Sequence, residues 1–340
     1  MSTRPFVSVI IPLRNEVTTI RACLEAILGQ DYGSDHFEIL VADGRSDDGT
    51  IAVLAEYAAC GAVRVLDNPE RLTSTGLNRC LAVARGEIIA RVDGHTIVAP
   101  NYLSACVAAL ETSSAANVGG RMQPLGRTRI GRLIGLATSS PFGIGDSKFH
   151  FATTPQWVDT VYLGAWRRDL FDQIGGFDET MHRHQDYEFN YRTRRHGGHI
   201  WFTPTIRSWY FPRESLLSFV HQYFTYGWWK ATLVAREPAS IRWRHLVAPL
   251  FVLSLLVGLL SGGGRLLALE LSLYAALAIG ESLRQVVRHR SFEALALPPV
   301  FLILHLAWGS GVVARLASLR WISRPMPARH PLPERPFNKA

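Results

Sequence analysis

The stretch Asp93-Gly94-His95 follows an apolar run and places two side chains that can bind a metal ion or a sugar two residues apart. In an extended chain, residues at this spacing point to the same side, and the glycine between them lets a large ligand approach the backbone. The pattern predicts a site for a divalent ion and a nucleotide-sugar. A polar turn after a buried strand is the alternative, because Asp-Gly is also a common turn signal.

Short apolar runs alternate with segments of helical periodicity before this stretch. Buried strands are predicted at 7–11, 37–41, 63–66 and 88–92, and helices at 17–28, 51–58 and 77–84. The alternation predicts an α/β domain with a doubly wound, mostly parallel sheet and helices on both faces. Ligands of such sheets bind beyond the carboxyl ends of the strands. The candidate residues that follow strand ends here are Arg14, Glu16, Asp43 and Asp93.

Two common nucleotide-binding motifs are absent from the sequence. A dinucleotide-binding domain carries Gly-x-Gly-x-x-Gly after its first strand, whereas the corresponding turn here reads Pro12-Leu13-Arg14-Asn15-Glu16. The sequence also contains no Gly-x-x-x-x-Gly-Lys-[Ser/Thr] motif of a P-loop. These absences argue against a nicotinamide-dependent dehydrogenase and against a P-loop nucleotidase.

The composition indicates a membrane part. The chain has 340 residues, of which 48% are hydrophobic, and a formal net charge of +8. Such a charge suits nucleic acid or an anionic membrane surface, but the long apolar tracts and the lack of a nucleic-acid-binding signature favour the membrane and no nucleic acid. The four cysteines are widely spaced, which is typical of reduced, cytosolic thiols. No apolar leader precedes the first strand, so we expect the front domain not to be exported.

Three apolar segments near the carboxyl end are candidates for membrane helices. They lie at 246–264, 266–279 and 294–314. The first is uncharged, whereas Glu270 interrupts the second and His305 lies in the third. Two to three membrane helices are therefore predicted, with helices buried in a soluble domain as the alternative. Arg242 and Arg244 favour a cytosolic start, but three full spans would place the arginine-rich tail outside the cell unless one segment is re-entrant.

The middle of the chain is less regular. A helix is predicted at 101–110, a strand at 117–120 and a last strand at 199–202. Residues 126–155 show no clear period, which predicts an irregular surface segment or a mobile loop over the site.

Residues 7–16, 41–50 and 84–95 resemble the nucleotide-binding half of the family 2 inverting glycosyltransferases, and the resemblance continues to about residue 230. Within that family the chain is similar to the ExoA-type glucosyltransferases of succinoglycan biosynthesis. The resemblance implies the GT-A fold. The resemblance, together with the apolar segments and the basic tail, predicts the following organisation: a cytosolic GT-A domain over 1–235, with a nucleotide-sugar half at 1–98 and an acceptor half at 99–235, a membrane domain over 236–322 and a basic, proline-rich tail over 323–340.

The resemblance assigns the nucleotide-sugar residues. The uracil and ribose would be bound by Pro12, Arg14, Glu16 and Asp43, and the nucleotide-sugar also by Asp93. The Asp-x-Asp motif of the family maps onto Asp93-Gly94-His95, where histidine replaces the second aspartate. Imidazole binds Mn²⁺ and, less readily, Mg²⁺, so Asp93 and His95 remain the predicted metal ligands.

The resemblance also assigns the catalytic base. Asp186 matches the aspartate that takes the proton of the acceptor hydroxyl, and Gln185 occupies a position where glutamate is usual. The alternative is that Asp186 only stabilises the first turn of a helix that runs to Arg195. His182 and His184 are further candidates for a titrating group.

A last set of polar residues lies among the aromatic residues of 216–230 and just before them. Arg213, Gln222 and Lys230 could bind the leaving diphosphate or the lipid diphosphate of the acceptor. An amphipathic helix at the membrane surface would use the same residues as anchors. The Gln-x-x-Arg-Trp motif of processive relatives is missing, which argues against a polymerising enzyme.

Together these features predict an inverting hexosyltransferase of the inner membrane, multi-pass, with a cytoplasmic catalytic domain. The resemblance implies UDP-glucose or another UDP-sugar as donor, a divalent metal cofactor and a polyprenyl-diphosphate-linked saccharide as acceptor in exopolysaccharide biosynthesis. Two alternatives stay open: a polyprenyl-phosphate glycosyltransferase, and a non-catalytic scaffold with the same fold in a polysaccharide-assembly complex.

Overall fold

The computed structural model describes residues 4–319. The strands are β1 (Val7–Leu13), β2 (Phe37–Asp43), β3 (Arg64–Asp67), β4 (Ile88–Arg91), β5 (Thr96–Val98), β6 (Asn117–Pro124), β7 (Gln156–Val158), β8 (Tyr162–Arg167) and β9 (Ile200–Tyr210). The first helices are α1 (Ile20–Leu28), α2 (Thr50–Ala59), α3 (Thr73–Val83), α4 (Tyr102–Ser113), α5 (Arg129–Thr138) and α6 (Pro141–Ile144). They are followed by α7 (Asp169–Ile174), α8 (Gln185–Arg195), α9 (Leu216–Arg236), α10 (Arg244–Leu260), α11 (Gly264–His289) and α12 (Leu297–Leu319).

The described residues form two compact units. The first contains the residues up to 122 together with 152–210, and the second contains 123–151 together with the residues from 211 onward. Residues 211–235, which the sequence assigns to the catalytic domain, therefore cluster with the carboxyl-terminal helices.

Among the described residues, nine strands form one mixed sheet in the order β3-β2-β1-β4-β8-β6-β9-β5, with β7 paired to β9. The strands β1 to β4 are parallel, as the alternation of strands and helices predicts. The later pairs β4–β8, β6–β8, β5–β9 and β7–β9 are antiparallel. The first four strands consequently end at one edge of the sheet, where their loops meet.

Helices cover both faces of this sheet. Val9 and Ile11 of β1 belong to one apolar layer, in which α1, α2 and α4 pack. Ile10 and Ile89 belong to the opposite layer, which contains α3, α7 and Phe189 of α8. Since neighbouring residues of a strand point to opposite faces, every side chain of β4 with the same parity as Ile89 lies on the side of α8. In β4 the Arg91 side chain consequently lies on the same side of the sheet as Ile89.

The predicted elements of the first half are confirmed, with shifted ends. Strand β1 continues through Pro12 to Leu13, and β9 extends well beyond the predicted end at residue 202. The prediction for residues 126–155 is wrong, because this segment contains α5 and α6. The glycines of α5 conceal its helical pattern in the sequence. They are required by the tertiary packing, because a Cβ at Gly131 would lie 2.8 Å from a carboxylate oxygen of Glu214.

In the second unit, glycines allow the long helices to approach each other closely. A Cβ at Gly227 of α9 would collide with the backbone of Trp308 in α12, and one at Gly311 of α12 would collide with the backbone of Phe224. Small residues at such contacts are typical of helices that pack within a membrane.

Two described helices are long and apolar enough to cross a membrane, at Gly264–His289 and Phe292–Ser318. The uncharged segment predicted as a span at 246–264 lies in α10, which ends at Leu260 because Gly262 adopts a positive φ. α10 is therefore shorter than the two candidate spans. Exposed leucines line α10 and α11, among them Leu253, Leu256, Leu260, Leu266, Leu269 and Leu273. A large exposed apolar surface of this kind favours contact with lipid. The predicted tail at 323–340 lies outside the described residues.

Candidate active site

The loops that follow β1 and β2 are joined by side-chain hydrogen bonds. The Asn15 side chain donates to Asp47 at 2.8 Å and accepts from the Asp47 backbone N–H at 3.0 Å. The Glu16 backbone N–H donates to Thr50 Oγ1, and the Val17 backbone N–H donates to Asp48. Short polar side chains after β2 thus hold both loops, a role that the sequence analysis did not assign to them.

The predicted nucleotide-binding residues lie at this edge of the sheet. Pro12 is buried in β1, while Arg14 is exposed in the loop that follows. Asp43 ends β2, is buried, and accepts hydrogen bonds from the backbone and the hydroxyl of Ser46, at 3.0 and 2.6 Å. Its carboxylate therefore shapes the turn after β2. The predicted positions at strand ends are confirmed, and the role of these residues in binding a nucleotide remains a proposal.

Asp93 follows β4 and forms a buried ion pair. Arg91 Nε donates to Asp93 Oδ1 at 2.8 Å and Arg91 Nη2 donates to Oδ2 at 3.3 Å. The two side chains are only 6% and 14% exposed. Gly94 lies close to the loop after β1, since a Cβ there would be 3.0 Å from Leu13 Cβ. Arg91 is not among the site residues predicted from the sequence, although an arginine in an apolar strand two residues before an aspartate is a visible signal.

His95 is oriented by a carboxylate. Its Nδ1 atom lies 3.1 Å from Glu16 Oε1, and the hydroxyl of Thr19 donates to Glu16 Oε2 at 2.8 Å. Metal-ligating histidines commonly hydrogen-bond a carboxylate in this way through the other ring nitrogen. No group of three or more potential metal ligands occurs among the described residues. Mn²⁺ nevertheless binds carboxylate and imidazole groups such as those of Asp93 and the oriented His95, and oxygen atoms of a bound substrate would complete its coordination.

Replacing Glu16 by alanine should weaken Mn²⁺ binding by about 10–100-fold, because the His95 ring loses the carboxylate that orients it. Titration of the full chain with Mn²⁺, followed by electron paramagnetic resonance, measures this directly. Glu56→Ala is the matched control, since Glu56 pairs with Arg21 on the exposed surface. Equal Mn²⁺ affinity in Glu16→Ala and the wild type would contradict the assignment.

Asp186 lies in the first turn of α8. The helix begins at Gln185, which is buried, after His184 in the left-handed conformation with φ 61°. Asp186 is partly exposed, and its Oδ1 accepts a hydrogen bond from the Tyr187 backbone N–H at 2.8 Å. A non-glycine residue with positive φ is uncommon, and such residues cluster at functional sites. Of the two further candidates, His184 is half-buried and His182 is more exposed, and the loss of solvent around the His182 ring, together with the charge of Arg183, lowers the pKa of His182.

A buried ion pair within α8 joins this helix to the end of α7. Glu188 is 1% exposed and binds Arg192 through hydrogen bonds of 3.0 and 2.8 Å. Arg192 also donates to the backbone carbonyls of Ile174 and Gly176. Phe189, which lies between Glu188 and Arg192 along the helix, packs in an aromatic cluster with Trp166, Phe171 and Phe177. The amino-terminal turn of α8, which carries Asp186, is thereby held in a fixed position.

Arg91 links the two parts of the site. Burial alone would lower the pKa of its guanidinium, but the carboxylates of Asp93 and Asp186 raise the pKa above its ordinary value. Both carboxylates therefore act on the same buried cation.

The other predicted residues belong to the second unit. Arg213 is exposed before α9, Gln222 donates to the Tyr226 hydroxyl at 3.1 Å, and Lys230 is buried within α9. The first unit, which contains the residues described above, does not include these three. Their role in binding a diphosphate remains a proposal.

With this geometry established, the comparisons with known proteins decide the family. The model of glycosyl transferase family 2 matches residues 8–175, which include the loops after β1, β2 and β4. Residues 8–175 therefore form a domain of this family. Family 2 enzymes transfer a sugar with inversion at its anomeric carbon.

Two characterised relatives match nearly the whole chain. The succinoglycan biosynthesis protein ExoA of Rhizobium meliloti (strain 1021) is 28% identical over 316 residues, which cover 92% of this chain and 95% of the relative. A Methanococcus voltae enzyme, dolichyl N-acetyl-alpha-D-glucosaminyl phosphate 3-beta-D-2,3-diacetamido-2,3-dideoxy-beta-D-glucuronosyltransferase, is 25% identical and covers 88% of this chain and 94% of the relative.

A solved structure shows the fold. The mannosyltransferase PcManGT from Pyrobaculum calidifontis, in complex with GDP-Man and Mn²⁺, superposes with a TM-score of 0.62 at 20% identity. The superposition covers 93% of this chain and 88% of the other. The family 2 glycosyltransferase described here therefore has the GT-A fold, followed by two apolar helices that could span a membrane.

Proposed function

We propose that this family 2 glycosyltransferase moves a hexose, with glucose as the first candidate, from a UDP-sugar to a polyprenyl-diphosphate-linked saccharide in exopolysaccharide biosynthesis. The observation that carries the proposal is the ion pair of Asp93 with the buried Arg91, whose charge the carboxylate of Asp186 also stabilises. A donor-side carboxylate and an acceptor-side carboxylate are what an inverting transfer needs, since the acceptor attacks opposite the leaving diphosphate.

The donor side is assigned to the edge of the sheet after β1, β2 and β4. We propose that the two joined loops, with Pro12, Arg14 and Asp43, bind the nucleotide, whose anionic diphosphate lies toward Asp93 and His95. A divalent metal bound by Asp93 and His95 would neutralise the charge that develops as the nucleotide leaves. We propose that Glu16, which is also a predicted nucleotide-binding residue, orients His95 at this site.

The acceptor side is assigned to the amino-terminal turn of α8. Asp186 is partly exposed, so a hydroxyl group can reach its carboxylate. We propose that Asp186 accepts the proton of this hydroxyl as the oxygen attacks the anomeric carbon. The buried Glu188–Arg192 pair keeps the turn in place and leaves Glu188 unavailable for this role.

A lipid-linked acceptor is favoured by the apolar helices and by the relatives. The Methanococcus voltae enzyme is named for an acceptor that carries a dolichyl phosphate, and ExoA is named for succinoglycan biosynthesis. We propose inner-membrane attachment with the catalytic unit in the cytoplasm. Two spans would return the carboxyl end of α12, which carries Arg315, to the side of the catalytic unit, in agreement with the positive-inside tendency.

The proposal is tested with the full chain in lipid nanodiscs, UDP-glucose and a polyprenyl-diphosphate-linked saccharide, in the presence of Mn²⁺, Mg²⁺ or EDTA. We expect UDP release together with a lipid product that is heavier by one hexose. GDP-mannose is the second donor, and use of it alone would overturn the UDP assignment. A product with one sugar on polyprenyl phosphate would identify the other acceptor class, and nucleotide binding without any transfer would favour the scaffold.

A further inference from the structure

The hairpin tip, residues 253–277 of α10 and α11, is an apolar surface that the described part of the chain leaves uncovered. No residue in this range is buried. Leu260 and Leu266, on either side of the turn, are 85% and 72% exposed. A contiguous apolar surface of this kind marks a site of contact with a membrane or with another protein.

The two arms of the hairpin pair with each other in register. Ser254 of α10 donates a hydrogen bond to Glu270 of α11, and the rings of Phe251 and Tyr274 stack at a centroid distance of 4.8 Å. Ser254 and Glu270 are equally far from Gly262 in the turn, so the arms run side by side. Glu270, the acid that interrupts the apolar sequence of α11, thus has a hydrogen-bond partner within the hairpin, which lowers the cost of placing it in lipid.

The base of the hairpin is basic and aromatic. Arg242 and Trp243 are exposed just before α10, with Trp243 at 62%. Arg288 and Arg290 are exposed at the end of α11. Tryptophan and arginine beside an apolar segment are typical of the boundary between lipid tails and headgroups, where basic side chains attract anionic phospholipids. The apolar tip and the basic base together fit a bilayer with anionic headgroups.

α12 has different surroundings, although its length and composition also suit a membrane span. From residue 300 to residue 315 no residue of this helix is exposed. Polar contacts hold it against the protein, since His305 Nε2 lies 3.0 Å from the carbonyl oxygen of Phe142, and Arg315 donates to Thr232 Oγ1 at 2.9 Å. These contacts are those of a core helix of the second unit.

We propose that the hairpin tip is the element that enters the bilayer and that α12 is a core helix of the second unit rather than a span. The inference rests on the membrane attachment in the proposed function and assigns it to α10 and α11. The 17 residues of α10 extend about 26 Å, so the hairpin reaches through most of a hydrocarbon core of about 30 Å. The residues before α10 and after α11 then lie on the same side of the membrane.

The first experiment shortens the hairpin in the full chain. Residues 255–269 are replaced by Gly-Ser-Gly-Ser, which retains Ser254 and Glu270 and removes no buried residue. We expect the fraction of the protein that resists extraction from membranes by alkaline carbonate to fall at least tenfold, while the melting temperature stays close to that of the wild type. Leu217→Ser is the matched control, because Leu217 is 81% exposed outside the hairpin, and its resistant fraction should stay within twofold.

A shortened chain that resists carbonate as the wild type does would show that another segment, α12 first among them, holds the protein in the membrane. That result would overturn the inference. If the shortened chain does not fold, the second experiment decides.

The second experiment measures the depth of the tip with nitroxide labels. Leu256→Cys and Leu269→Cys, each combined with Cys60→Ser to remove the exposed native thiol, are labelled as full chains in nanodiscs of phosphatidylethanolamine and phosphatidylglycerol. We expect high accessibility to O₂, and accessibility to the polar reagent nickel ethylenediaminediacetate at least fivefold lower than in Ile51→Cys, labelled at an exposed apolar position of the first unit.

Two results of this labelling would contradict the inference. Equal accessibility to the nickel reagent at all three positions would place the tip in water, and low accessibility to both reagents would show a protein cover in place of lipid. Neither experiment depends on sugar transfer. An inactive wild type would therefore refute the proposed reaction alone, whereas a wild-type chain recovered in the soluble fraction would refute the membrane attachment and this inference with it.

Discussion

Asp186→Asn is expected to lower kcat for sugar transfer by about 10²–10⁴-fold, the usual contribution of a positioned general base. Asparagine keeps the oxygen that accepts the hydrogen bond from the Tyr187 backbone N–H, so the first turn of α8 should be preserved. The amide cannot take the proton of the acceptor hydroxyl. Product formation, measured with saturating donor and acceptor, gives the loss, and the UDP Kd should be unchanged because the nucleotide loops are intact.

The control for this substitution is Asp169→Asn, since Asp169 is an exposed acid in the first turn of another helix, α7. It should leave kcat within twofold of the wild type. An Asp186→Asn enzyme that retains more than a tenth of the wild-type kcat would show that another group takes the proton. The nearby His182 would then be the next residue to replace.

Asp93→Asn is expected to remove activity and to destabilise the first unit as well. The substitution leaves the buried Arg91 guanidinium without its ionised partner, and breaking a buried ion pair on one side costs about 3–5 kcal/mol. Asparagine still accepts one hydrogen bond from Arg91, so we expect the lower end of this range. Thermal unfolding and Mn²⁺ titration measure the two effects, a lower melting temperature and at least tenfold weaker metal binding.

The double variant Arg91→Met/Asp93→Asn separates stability from function. Removing both charges avoids an unpaired buried ion, so most of the melting temperature lost in Asp93→Asn should return. Activity should not return, because the donor-side carboxylate is still missing. A single Asp93→Asn variant with wild-type melting temperature and Mn²⁺ affinity would show that Asp93 neither balances Arg91 nor binds the metal.

Local patterns were sufficient to predict the first half of the fold. The runs of β-branched residues that form β1 and β2 are separated by a segment whose apolar residues recur with the period of a helix. Such an alternation of strands and helices permits few topologies. In contrast, α5 was not predicted, because its glycines are unfavourable in a helix. They are present because Glu214 and Pro124, which lie outside the helix, leave no room for a Cβ at these positions. The pattern of residues 126–155 thus becomes intelligible only with its tertiary neighbours.

The sequence by itself determined the family, the parallel strands and the edge of the sheet where the candidate residues lie, because strand ends and their polar loops are local features. The tertiary structure decided which charges meet. Arg91 with Asp186, and Glu16 with His95, are pairs of residues far apart in the chain. It also decided that Glu188 is buried against Arg192 while its neighbour Asp186 stays accessible. Burial and long-range pairing depend on how the elements pack, and no spacing along the chain encodes them.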